Sequence, residues 1–139
     1  MMGVYDLTAM YGATELWFPE QDLKGQPWNS SLYENWSPDE FVKNFKTPCL
    51  VITGEKDYRV PYTQSLELFT ALQKMSVPSK QIVYPNAGHW PSSYEMALYY
   101  TAHLEWFQKY LGGQGPPRST ADFLRNTVFD RETGKRLEK

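Results

Sequence analysis

Beyond residue 37 the apolar positions of this chain fall into two alternating patterns, short unbroken runs and helical stripes. Pro48 opens the run Cys49-Leu50-Val51-Ile52-Thr53, and Gly54 closes it. An unbroken, partly β-branched run of this length predicts a strand covered on both faces, as in a parallel sheet. A charged loop from Gly54 to Pro61 leads to Leu66, Leu68, Phe69, Leu72 and Met75, whose spacing predicts a helix over about 62–75 with that stripe buried. Val77-Pro78-Ser79 breaks it. Gln81-Ile82-Val83-Tyr84 predicts a second strand, ended by Pro85-Asn86-Ala87-Gly88. Met96, Tyr99, Tyr100, Leu104, Phe107 and Leu111 mark a last helix over about 93–111, stopped by Gly112-Gly113. Ahead of the first strand, Ser37 as cap, Pro38 at the first helical position and Asp39-Glu40 in the first turn predict a short helix to about Phe45.

The order strand, loop, helix, strand, loop, helix is an α/β pattern, and each loop leaves the C-terminal end of a strand, where open sheets place their chemistry. Residues 1–37 show no regular period. They hold scattered aromatics among Gly12, Pro19, Gly25 and Pro27, and a long aromatic loop of this kind is usually functional or completed by something else. From Gly112 the composition turns to Gly, Pro and charge. The expected organisation is therefore a folded part over 1–111 and a polar tail over 112–139, with a short helix around Ala121 to Arg125.

Composition then narrows the function classes. A chain of 139 residues makes one domain at most, with an adequate core and no need of staples. With 14 basic against 16 acidic side chains and a net charge of -2, it lacks the electrostatic footprint of a nucleic-acid binder. No apolar run approaches the roughly 20 residues that cross a bilayer, so no membrane contact is expected. The start Met1-Met2-Gly3-Val4-Tyr5-Asp6 has no signal-peptide character, so the expectation leans to the cytoplasm, with the compartment left open. Cys49, inside an apolar run, reads as a small buried hydrophobe rather than a reactive thiol. Two histidines and one cysteine at these separations make no zinc pattern, and no metal or cofactor is implied. Within the last helix, His103 reads as a packing or surface residue, and Met75 and Met96 read as core. The content of 5 Trp, 10 Tyr and 7 Phe implies much core or much pocket wall, without saying which.

Two loops carry one catalytic-type side chain each. Asp57 lies in Gly54-Glu55-Lys56-Asp57-Tyr58-Arg59-Val60-Pro61, and His89 in Asn86-Ala87-Gly88-His89-Trp90. One helix and one strand separate them, so a crossover connection brings both loops to one sheet edge. A carboxylate there can fix the tautomer of the imidazole and stabilise the imidazolium that forms when its other nitrogen takes a proton. The plain alternatives are that Asp57 caps its own loop and His89 is a surface histidine.

Gly-x-x-Asp-x-Arg-Val-Pro after one strand and Tyr-Pro-x-x-Gly-His after the next resemble the end of the catalytic domain of the prolyl oligopeptidase family of serine peptidases, nearest in texture to its acylaminoacyl-peptidase and dipeptidyl-peptidase branches. Gly3-Val4-Tyr5-Asp6-Leu7 and Trp36-Ser37-Pro38 fit the same style. The resemblance, over roughly residues 3–111, implies the C-terminal portion of an α/β-hydrolase fold, the last strands and helices of a mostly parallel sheet. It implies Asp57 as triad acid, His89 as general base and a peptide as substrate. Arg59 matches an arginine that hydrogen-bonds a carbonyl of the bound peptide, and its fork of donors suits that task; an ion pair with Glu55 or another acid is the alternative. Tyr11, Trp17, Phe18 and Trp28 either line the pocket for the side chain beside the scissile bond or cover the sheet. Trp17 and Phe18 are the candidate pocket residues.

An α/β-hydrolase presents its serine on a Gly-x-Ser-x-Gly turn, in the order Ser, Asp, His. None of Ser30, Ser31, Ser37, Ser65, Ser76, Ser79, Ser92, Ser93 and Ser119 stands in that frame. The expectation is a piece of a longer peptidase that keeps the acid and base, lacks the nucleophile, requires the missing N-terminal part of the same enzyme as its partner, and is inactive alone. An esterase or lipase of the same fold, and a non-catalytic binding or assembly module, are the alternative readings.

Overall fold

The structure is a computed structural model in which residues 1–13, 17–92 and 95–124 are described. The chain divides into two compact units, 1–91 and 92–139, and each is taken by itself.

The first unit is built on two parallel strands and the helix between them. Strand β1 spans Cys49–Gly54 and β2 spans Ser79–Tyr84, paired in register from Cys49 opposite Ser79 to Gly54 opposite Tyr84. Val51 to Gly54 are buried consecutively, as expected of a strand covered on both faces. The backbone amides of Cys49 and Glu55 bond to Pro78 and Tyr84 on the β2 side, so Ile52 presents its carbonyl to the opposite edge. There it accepts from the Met2 amide at 3.3 Å, and the N-terminal segment thus crosses the other edge of β1.

The connecting helix spans Thr63–Lys74. Its buried face differs from the expected stripe. Leu72 is buried, but Leu66 and Met75 are 37% and 39% exposed, and Gln64 and Ser65 are buried in their place. Met75 is therefore not core. The helix rotates in this way because Gln64 is drawn inward by the N-terminal segment: its Oε1 accepts from the Tyr5 and Asp6 amides, both at 2.8 Å. Two apolar clusters result, one of Val51, Leu72 and Val77 with Phe45, Cys49 and Leu68 against it, the other of Met10, Ala13 and Val60 with Val4 and Phe18 against it. Cys49 is half-buried, and burial pushes its thiol up, away from the reactive thiolate.

Residues 1–37 contain more order than their sequence suggests. Short helices span Leu7–Met10 (α1), Trp17–Asp22 (α2) and Leu32–Trp36 (α3), so the 63–74 helix is α4. Asp6 caps α1, its Oδ1 accepting from the Ala9 amide at 2.8 Å. The predicted helix after Ser37 is a tighter 3-10 turn over Pro38–Asn44, and Ser37 does not cap it. Its Oγ accepts instead from the Leu7 amide at 2.9 Å, fastening the N-terminal segment. Within residues 1–37 the aromatics separate: Tyr5 and Tyr33 are buried, whereas Trp17, Trp28 and Trp36 stand in solvent. Tyrosine can bury its ring when its hydroxyl finds a partner, and Tyr33 donates to the Gly25 carbonyl at 3.0 Å.

The second unit holds helices α5, Glu95–Leu111, and α6, Thr120–Leu124. Residues 93 and 94, where the last helix was expected to start, and 125–139, most of the expected tail, lie outside the described residues. Glu95 accepts from the Ser92 amide and hydroxyl at 2.8 and 2.6 Å, closing the start of α5. Glu105 on α5 likewise receives the amide and hydroxyl of Thr120 at 2.7 and 2.6 Å, joining α6 to it. His103 is a packing residue: its Nδ1–H donates to the Tyr99 carbonyl at 2.7 Å, and its ring lies between Tyr99 and Phe107. No described helix is long and apolar enough to cross a membrane.

Candidate active site

Because β1 and β2 run parallel, the loops that follow them emerge at the same end of the sheet. Two backbone bonds continue the ladder past the strands, Glu55 N–H to Tyr84 O at 3.0 Å and Lys56 N–H to Ala87 O at 2.9 Å. The Lys56 ammonium adds a tie to Asn86 Oδ1 at 3.0 Å. The starts of the two loops are thereby held side by side.

Asp57 and His89 meet there. Asp57 Oδ2 lies 2.9 Å from His89 Nδ1. An ionised carboxylate only accepts, so Nδ1 carries the proton and the accepting nitrogen of the neutral ring is Nε2. The other oxygen, Oδ1, accepts from the amides of Arg59 and Val60 at 3.0 and 2.9 Å. One oxygen of Asp57 thus caps its own loop while the other meets the histidine. The Asp57 side chain is fully buried and that of His89 is 24% exposed. A buried carboxylate with both oxygens bonded to donors is fixed in place, and a histidine with one accessible edge can exchange a proton with a bound group.

Arg59 is exposed, next but one to the acid, with its backbone committed to Asp57. Phe18 packs on the Met10, Ala13 and Val60 cluster directly beside the acid loop, and exposed Trp17 meets it edge-on at 5.9 Å between centroids. A cavity of about 270 Å³ borders Asp57, walled by Gly12, Ala13, Tyr58, Pro61 and Tyr62 among others, with Trp17 and Phe18 outside its lining. Its walls are mostly apolar and its volume suits one side chain. Among the described residues no three His, Cys, Asp or Glu side chains converge to hold a metal. Reading the sequence missed Gln64. Gln64 was hidden because a polar residue in a helix reads as solvent-facing; its position two residues before Leu66 gave no signal.

Comparison with known proteins matches residues 1–114 to the prolyl oligopeptidase family. The chain belongs to the prolyl oligopeptidase family. It is 36% identical over 114 residues to a dipeptidyl-peptidase 5 of Aspergillus fumigatus, covering 79% of this chain and 16% of that protein. It is also 36% identical over 116 residues to a dipeptidyl-peptidase 4 of Giardia intestinalis, covering 78% and 15%. The chain thus spans about one-sixth of the length of these curated family relatives. Among solved structures it is similar to a puromycin-hydrolyzing peptidase of Mycobacterium tuberculosis (TM-score 0.76, 21% identity, 85% of this chain and 19% of that one). An acylaminoacyl peptidase of Pyrococcus horikoshii gives a TM-score of 0.72 at 22% identity, over 88% of this chain and 21% of that one. The fold is the C-terminal portion of an α/β-hydrolase fold, as the resemblance of the two loop motifs implies.

Proposed function

We propose that this chain carries the acid and the general base of a serine-type peptidase, and that the nucleophilic serine and the oxyanion donors come from polypeptide outside these 139 residues. The observation that carries the reading is the divided Asp57 carboxylate, with one oxygen 2.9 Å from His89 Nδ1 and the other on two backbone amides. In the complete site the serine hydroxyl attacks a peptide carbonyl as His89 Nε2 takes its proton. His89 then returns the proton to the departing amine, and Asp57 stabilises the imidazolium between the two steps. Arg59 donates to a carbonyl of the bound peptide, and the cavity beside Asp57 receives an apolar side chain, with Phe18 packed on the cluster that includes the wall residue Ala13 and Trp17 edge-on to Phe18. Residues 1–111 belong to the catalytic domain, and 112–139 form a polar extension.

The serine hydroxyls whose bonding is described support an external nucleophile. Ser92, near His89 in sequence, donates its hydroxyl to Glu95, and Ser37 donates to Asp39 while receiving Leu7. Alone, the chain has a base with nothing to deprotonate. A fluorophosphonate probe should leave the isolated chain unlabelled. Co-expression with a polypeptide bearing the family's Gly-x-Ser-x-Gly segment should give labelling on that polypeptide, lost in His89→Ala. Labelling of the isolated chain, or labelling indifferent to His89→Ala, would sink the proposal.

A further inference from the structure

We infer that Gly54 is a positioning residue of the Asp57–His89 pair, its missing Cβ being what allows the loop carrying the base to close on the loop carrying the acid. The inference rests on the dyad reading above. A Cβ placed at Gly54 would fall 2.2 Å from the Gly88 carbonyl oxygen, 2.4 Å from that of Ala87 and 2.7 Å from the Ala87 carbonyl carbon. All three are backbone atoms, so no side-chain rotation relieves the overlap. Non-bonded heavy atoms settle near 3.5 Å, and the 87–88 backbone would have to withdraw by roughly 1 Å.

That backbone immediately precedes His89. It is also the acceptor for the Lys56 amide, which lies next to Asp57. A withdrawal of this size carries His89 Nδ1 from 2.9 Å beyond hydrogen-bonding reach of Asp57 Oδ2. Asp57 itself stays in place, because the Arg59 and Val60 amides hold its other oxygen independently of the 87–88 loop. Gly54 therefore acts on the tautomer of the base, through the loop, while touching neither catalytic side chain. Gly88 provides the contrast. A Cβ there would meet only the Lys56 carbonyl, at 3.6 Å, an ordinary contact.

The experiment is long-range proton–nitrogen correlation NMR of the His89 ring at neutral pH in the full 139-residue chain, read as the fraction in the Nδ1–H form. The unsubstituted chain and Gly88→Ala are expected to hold His89 in that form. Gly54→Ala should lose most of it, reverting to the Nε2–H form common in free histidine, with the β1–β2 cross-strand contacts retained. Should Gly54→Ala not fold, one glycine inserted after Ala87 lengthens the loop. Recovery of the fold with His89 released then supports the assignment, and continued failure overturns it, because Gly54 would then serve the sheet. A folded Gly54→Ala that keeps the Nδ1–H form overturns the assignment of Gly54 alone. Absence of the Nδ1–H form already in the unsubstituted chain overturns the dyad beneath it.

Discussion

Asp57 and His89 are joined through one carboxylate oxygen at 2.9 Å, while the other oxygen of Asp57 is occupied by two amides of its own loop. The two halves of the carboxylate therefore fail separately. In Asp57→Asn the amide oxygen can still accept from Arg59 and Val60, which points the NH2 group at His89 and forces Nδ1 to become the acceptor. Urea unfolding of the isolated chain should move by only about 1 kcal/mol, the worth of one ordinary hydrogen bond. With its nucleophile supplied, turnover should fall by about 10⁴ through the wrong tautomer. Asp57→Ala removes all three bonds and should cost about 4 kcal/mol or more, since each bond to a charged group contributes about 1.5–3 kcal/mol. Equal unfolding midpoints for the two variants would contradict the division of roles.

Gln64 holds the N-terminal segment to α4 through one oxygen that receives two amides. Gln64→Leu keeps the volume and leaves the Tyr5 and Asp6 amides without that acceptor. The expected loss is about 2–4 kcal/mol in urea unfolding, because the two unsatisfied donors cost about 1–3 kcal/mol each and the substitution also removes the buried Gln64 Nε2, which has no partner of its own. Amide hydrogen exchange separates this from a general weakening: Tyr5 and Asp6 should lose protection first, with β1 and β2 amides following only to the extent that global stability falls.

Gln64 also marks where sequence reading reached its limit. β1, β2, α4 and α5 were legible because they rest on local signals, an unbroken apolar run or a stripe at helical spacing, and so was the meeting of Asp57 with His89, which follows from parallel strands and the loops after them. The burial of Gln64 over Leu66 and the diversion of Ser37 from capping to fastening Leu7 depend on partners 30 to 59 residues away. No local pattern encodes such a partner. The tryptophans misled for a related reason, since their size suggests burial and four of them, Trp17, Trp28, Trp36 and Trp90, are exposed.

The first loop carries a pH-dependent tie. Tyr11 donates its hydroxyl to Glu20 at 2.6 Å, and the Glu20 carboxylate, with burial second, pushes the Tyr11 phenol up from 10.0 to about 12. A folded value above the ordinary one means that this contribution to stability is fully present below pH 10 and is lost as pH rises from about 10 to about 12. The tyrosinate absorbance of the folded chain should accordingly show Tyr11 titrating late, alongside Tyr5 and Tyr33, whose phenols burial also pushes up, and Glu20→Gln should return Tyr11 toward the ordinary range. An unchanged titration in Glu20→Gln would show that the carboxylate does not hold the phenol.

Helix α5 presents Tyr100, Leu104, Phe107 and Leu111 at 60, 48, 52 and 79% exposure, spaced so that all four lie along one side of the helix. A continuous apolar stripe of this kind is uncommon on a protein that works as a monomer, and water around it favours any process that covers it. The isolated chain is therefore expected to bind a hydrophobic dye and to increase in apparent mass with concentration in sedimentation velocity. Leu104→Glu combined with Phe107→Lys should lower both, with the helical circular dichroism unchanged, because both positions point to solvent and neither residue is a poor helix former. The peptidase reading gives the stripe a further consequence. If it is covered by the polypeptide that carries the serine, co-expression should suppress dye binding in the unsubstituted chain, and the double substitution should weaken that complex. Persistent dye binding in an active complex would show that the stripe serves some other contact.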